Sequence, residues 1–120
     1  MARILLADDD ATARDLVHRA LKSDGHHVSV TQDGAEALEQ LNGGAARFDL
    51  LISDVQMPGV DGIELIEKAL ALSPGLRVIL MSGFTGELDR AKHLKGKIAR
   101  EITKPFTLEQ VRGVVRAVLG

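Results

Sequence analysis

Four stretches of this sequence place polar groups suited to phosphoryl chemistry at the ends of apolar runs. Ile4 to Ala7 meets Asp8-Asp9-Asp10, Leu50-Leu51-Ile52 leads to Asp54, Arg77 to Met81 ends on Ser82-Gly83, and Ile98 to Ile102 leads to Lys104-Pro105. Clustered carboxylates repel one another and need a counter-charge. The chain has no cysteine and no histidine beside these acids, so the donors are oxygens, which suit Mg²⁺ or Mn²⁺. A carboxylate beside a divalent ion can attack a phosphoryl group to form an acyl phosphate. The Lys104 ammonium would neutralise phosphoryl oxygens and the Ser82 hydroxyl could donate to one.

The elements that must position these groups follow from hydrophobic period and capping chemistry. Strands are expected at Arg3 to Ala7, His27 to Thr31, Leu50 to Ile52, Arg77 to Met81 and Ile98 to Ile102. The third and fourth are apolar throughout, as central parallel strands covered on both faces are, whereas Arg100 and Glu101 mark the fifth as an exposed edge. Helical spacing recurs in Leu16, Val17, Ala20 and Leu21 behind an Asp10 cap, and in Ala37, Leu38 and Leu41 behind Asp33. It recurs again in Ile63, Ile66, Ala69 and Leu70 after the Pro58-Gly59 turn, and in Val111, Val114, Val115 and Val118 behind Thr107 and Gln110, a capping-box pair. Gly25 and Gly43-Gly44 close the first two helices. Phe84, Leu88 and Ala91 predict a short, marginal helix weakened by Gly86 and Gly96.

Five β-α units in series predict one α/β domain over residues 1–120. The expected architecture is a flavodoxin-like, doubly wound five-stranded parallel sheet of order 2-1-3-4-5 with five helices. Ligands bind such sheets outside the carboxyl ends of the strands, where strand order reverses. That order puts the first and third strands side by side, so Asp8, Asp9 and Asp54 should converge on one pocket.

Composition removes other classes. A net charge of −2 gives no general attraction to nucleic acid or anionic membranes, and Phe48, Phe84 and Phe106 are the only aromatic residues, too few for a stacking platform. Ile4 to Ala7 is too short for a signal peptide or a membrane span, and without cysteines nothing points to secretion, so a cytoplasmic location is expected. No Gly-rich turn follows the first strand, which argues against dinucleotide binding.

ILLADDD, LLISDVQMPGVDG, ILMSG and TKPF, in this order and spacing, resemble the response-regulator receiver family across the whole chain. The resemblance implies that Asp54 is phosphorylated, that Asp9 binds Mg²⁺ directly and Asp8 through water, and that the Gln56 backbone carbonyl completes the protein ligands. It also implies Ser82 as the Ser/Thr switch, Lys104 as the phosphate-binding lysine, and a cis Lys104-Pro105 bond that aims the lysine. The implied phosphoryl donor is a histidine kinase or histidine phosphotransfer protein.

Within that family, ILLADDD, SGF and HLKGKIAREITKPF are similar to the stand-alone alphaproteobacterial cell-cycle regulators of the CpdR group. That likeness implies an AAA+ protease as output partner, engaged by the unphosphorylated form. Because the chain ends after its last helix, a monomeric receiver without a catalytic or DNA-binding output domain is expected, and not an enzyme. Glu101 departs from the family pattern, which has Tyr or Phe there. An unpaired anion is not readily buried, so switching is expected to rely on Ser82 and the segment from Phe84 to Lys97.

Simpler readings stand beside these. Asp10 is a helix cap before it is a ligand. Ser82 and Lys104 alone are an ordinary loop serine and a solvated lysine; their chemistry depends on register with Asp54. His26 and His27, adjacent on an extended segment, point to opposite faces and, like His18 and His93, read as surface residues. Arg90, Lys92, Lys95, Lys97 and Arg100 read as a solvated basic face and not as a docking patch. The competing functions are a Mg²⁺-dependent phosphatase with an aspartyl-phosphate intermediate, and a receiver that relays or drains phosphate. Such hydrolases usually carry a second acid two positions after the nucleophile, where this chain has Gln56.

Overall fold

The computed structural model describes residues 2–83, 91–94 and 96–120. Five parallel strands, β1 (Arg3–Ala7), β2 (His27–Thr31), β3 (Leu50–Asp54), β4 (Arg77–Ser82) and β5 (Arg100–Thr103), form one sheet of order β2-β1-β3-β4-β5. The helices are α1 (Ala11–Ser23), α2 (Gly34–Asn42), α3 (Gly62–Leu72) and α4 (Leu108–Leu119), with a 3₁₀ turn at Ala45–Arg47. Among the described residues no helix is long and apolar enough to cross a membrane.

Alternation along each strand divides the core between two faces. Ile4, Leu6, Leu50, Ile52, Ile79 and Met81 pack with Val17, Ala20 and Leu21 of α1 and Val111 and Val115 of α4. Leu5, Ala7, Leu51, Val78 and Leu80 pack with Ala37 and Leu41 of α2 and Ile63, Leu65, Ile66 and Ala69 of α3. β3, at the centre, is buried along its whole length. Helix starts are set by their caps: Asp10 accepts from the Thr12 N–H, Asp33 from Glu36, and Asp61 from Glu64. Thr107 and Gln110 close the reciprocal capping box that starts α4.

Two expectations are corrected. β5 begins at Arg100 and not at Ile98, because Ile98 donates its N–H to the Leu94 carbonyl in the preceding turn and only then does Ala99 reach the Val78 carbonyl on β4. Four α-helices, not five, are found among the described residues. Residues 91–94 form a 3₁₀ turn whose Ala91 and Leu94 join the core, and the rest of the expected short helix, from Phe84 to Arg90, lies outside the described residues.

Candidate functional site

The strand register brings the acids together. Ala7 of β1 lies opposite Ser53 of β3, so the residues that follow, Asp8 and Asp54, stand side by side at the carboxyl end of the sheet. β4 and β5 then bring Ser82 level with Thr103, one residue before Lys104. One ligand oxygen from each of Asp8, Asp9 and Asp54 falls within 4.8 Å of the others.

Lys104 reaches between the two buried acids. Its Nζ donates to Asp54 Oδ2 at 3.2 Å and to Asp8 Oδ1 at 3.3 Å, and lies 3.1 Å from Asp8 Oδ2. The Lys104-Pro105 peptide is cis, and the Lys104 N–H donates to the Ser82 carbonyl at 2.7 Å. Asp8 is fully buried: its N–H donates to the Thr31 carbonyl, its Oδ1 accepts from the Asp10 N–H at 2.9 Å, and its Oδ2 is ion-paired with Lys104 without an aligned hydrogen bond. Asp54 is nearly as buried, and its Oδ1 accepts from the Val55 N–H. Asp9 is exposed. The Ser82 hydroxyl is buried and makes no hydrogen bond.

The electrostatics are those of an unfinished site. Burial pushes the Asp54 carboxyl up to about 6; Lys104 pulls it down, and Asp8 pushes it up again. Burial alone would lower the Lys104 ammonium, but Asp8 and Asp54 outweigh it and hold that ammonium above the ordinary lysine value. One ammonium is thus shared by two buried carboxylates, and the third acid, Asp9, has no ion pair among the described residues. An all-oxygen donor set of three carboxylates, with a single ammonium between two of them, fits a hard divalent cation such as Mg²⁺.

Asp8, Asp9, Asp54, Ser82 and Lys104 therefore gather at one end of the sheet. Gln56 lies exposed in the loop two residues past Asp54. Glu101 is exposed and, as expected of an anion, stays out of the core. No described histidine joins the cluster: His26 accepts from the Ala2 N–H and His93 faces Glu67 at 3.6 Å. Arg90 and Lys95 of the basic run, and most of the expected switching segment, lie outside the described residues.

Sequence reasoning missed two supports of this site. A Cβ at Gly62 would collide with the Asp54 backbone carbonyl, so only glycine lets α3 start against the acid's own peptide, and a Cβ at Gly34 would collide with the Val60 carbonyl in the same loop. The Asp-Gly pair at 61–62 is visible in the sequence, but the approach of the helix start to Asp54 is not.

The sequence matches the response regulator receiver domain family over residues 4–116. It is 34% identical to the response regulator receiver protein CpdR of Brucella abortus, over 99% of this chain and 98% of that protein. It is 32% identical to the response regulator MprA of Mycobacterium ulcerans over 98% of this chain, which spans half the length of that relative. Among solved structures, a response regulator receiver domain protein from Clostridium thermocellum superposes with a TM-score of 0.88 at 25% identity, covering 99% of this chain and 94% of that one.

Proposed function

Since this chain belongs to the response regulator receiver family of two-component signalling, we propose that it accepts a phosphoryl group on Asp54 from a histidine kinase or histidine phosphotransfer protein in the cytoplasm. The observation that carries this reading is the shared lysine, which lies within hydrogen-bonding distance of both Asp54 and Asp8 at the strand ends. Asp54 Oδ1 is occupied by the Val55 N–H, which leaves Oδ2, the oxygen beside Lys104, to attack phosphorus. Lys104 is placed to hold a phosphoryl oxygen, and the unpartnered Ser82 hydroxyl to donate to another. Asp8, Asp9, Asp54 and the Gln56 carbonyl would hold Mg²⁺, which supplies the positive charge that this pocket lacks.

A groove of about 450 Å³ borders Lys104 between α1 and the loop after β5, lined by Ala13, Leu16, Pro105 and Phe106 together with Asp10, Thr12 and Arg19. Its mixed lining, apolar side chains alongside Asp10 and Arg19, suits an amphipathic helix of a phosphodonor protein. The chain acts as a stoichiometric acceptor, not a turnover enzyme, since no second acid follows two positions after Asp54. As the resemblance of its motifs to the CpdR group implies, the proposed output partner is an AAA+ protease, engaged by the unphosphorylated form in cell-cycle control.

Intact mass after incubation with a small phosphodonor and Mg²⁺ tests the central step. One phosphoryl group on the wild type, none on Asp54→Asn, and none without divalent ion are expected. Unchanged labelling of Asp54→Asn would overturn the assignment.

A further inference from the structure

Asp9 is exposed and is the one member of the acidic trio for which neither a hydrogen bond nor an ion pair is found among the described residues. With no side-chain partner among the described residues to hold it, the direction of its Cα–Cβ bond is set by the two rigid peptide planes on either side. The following plane is fixed by the Asp10 N–H, which donates to Asp8 Oδ1 at 2.9 Å. The preceding plane is fixed by Arg14, whose Nη1 donates to the Asp8 carbonyl oxygen at 3.0 Å from one turn into α1. On its other side Asp8 is tied to β2 through the Thr31 carbonyl.

We propose that Arg14 is a positioning residue for the cation site: by gripping the Asp8 carbonyl it sets the Asp8–Asp9 peptide plane and so aims the Asp9 carboxylate at Asp8 and Asp54. The inference rests on the metal-dependent reading above, in which Asp9 is a ligand. Arg14 is half-buried against the turn, so its grip is better sheltered from water than a surface contact.

Charge and position make opposite predictions, which separates them. As a nearby cation Arg14 repels a divalent ion, so Coulomb's law alone says that Arg14→Met should tighten Mg²⁺ binding. As a positioning residue its loss should weaken it, and supports of this kind typically carry about tenfold in metal affinity. Because the chain has neither Trp nor Tyr, the titration is read by the NMR shifts of the Asp9 and Asp10 amides.

Arg14→Met is expected to bind Mg²⁺ about tenfold more weakly, with Arg14→Lys in between and the phosphorylation rate recovering at saturating Mg²⁺. Unchanged or tighter binding in a folded Arg14→Met chain overturns the proposal. If that variant does not fold, Arg14→Lys carries the test, and wild-type affinity in it is the overturning result. A wild type that shows no Mg²⁺-dependent shifts at Asp9 would instead overturn the reading of the site itself.

Discussion

Two ionic clusters sit at opposite ends of the sheet, and the balance of charge differs between them: acids outnumber cations in one and match them in the other. At the carboxyl ends of the strands, Asp8 and Asp54 share the single ammonium of Lys104. At the other end, Asp24, the C-cap of α1, is shared by Arg112 at 2.8 Å and Arg116 at 3.2 Å, both on α4, and Arg112 also pairs with Glu109 at 3.1 Å. Each cluster leaves one buried carboxylate oxygen without an aligned hydrogen bond, Oδ2 of Asp8 and Oδ2 of Asp24. Such an oxygen therefore does not by itself mark a reactive site. The charge around it does: Asp54 is pushed up to about 6 by burial, while the hydrogen bond from Arg112 holds Asp24 below the ordinary aspartate value. One cluster is short of positive charge and can take more; the other is a staple between α1 and α4.

Substitutions on the two sides should separate these roles. Lys104→Met removes the only cation shared by two buried acids and should cost the largest amount, about 3 kcal/mol at pH 7 in the absence of divalent ions. The loss should shrink toward pH 5 as Asp54 takes up a proton. Chemical denaturation across pH measures this, and a pH-independent loss would break the comparison.

Asp54→Asn should have the opposite sign, raising stability by about 1–2 kcal/mol at pH 7. Folding lifts this carboxyl from 3.8 to about 6, so between those values the folded chain binds more protons than the unfolded one. The contribution of Asp54 to stability therefore falls as pH rises through that window. The gain from asparagine should be complete above about pH 6 and gone below about pH 4. Equal gains at pH 4 and pH 7 would show that burial of the charge is not the cause.

Asp24→Asn should have the smallest effect: a modest loss of stability that added salt reduces, with phosphoryl labelling and Mg²⁺ affinity unchanged. Altered labelling in this variant would mean that the staple and the acidic pocket are coupled.

Much of the fold and of the acidic pocket is legible in the residues themselves. Asp10, Asp33 and Thr107 cap helices as expected because capping is settled within three or four residues of chain. β5 starts two residues later than its apolar pattern suggests because Ile98, although apolar and β-branched, is held in the preceding turn by Leu94. Arg14 and Gly62 could not be singled out, since an arginine on a helix and a glycine after an aspartate have no local signature. Their importance arises where α1 meets the Asp8 carbonyl and α3 meets that of Asp54.

By itself, then, the sequence determined which groups stand at the strand ends, because apolar runs, turn residues and caps are short-range signals that end where the polar groups begin. The tertiary structure decided how those groups divide the charge. β1 pairs with β3, and β4 with β5, only through contacts distant in the chain. Those pairings bury Asp8, leave Asp9 in water, and bring Lys104 between Asp8 and Asp54. Burial and proximity shift a carboxyl's affinity for protons and cations, and neither can be read from the residues that flank it.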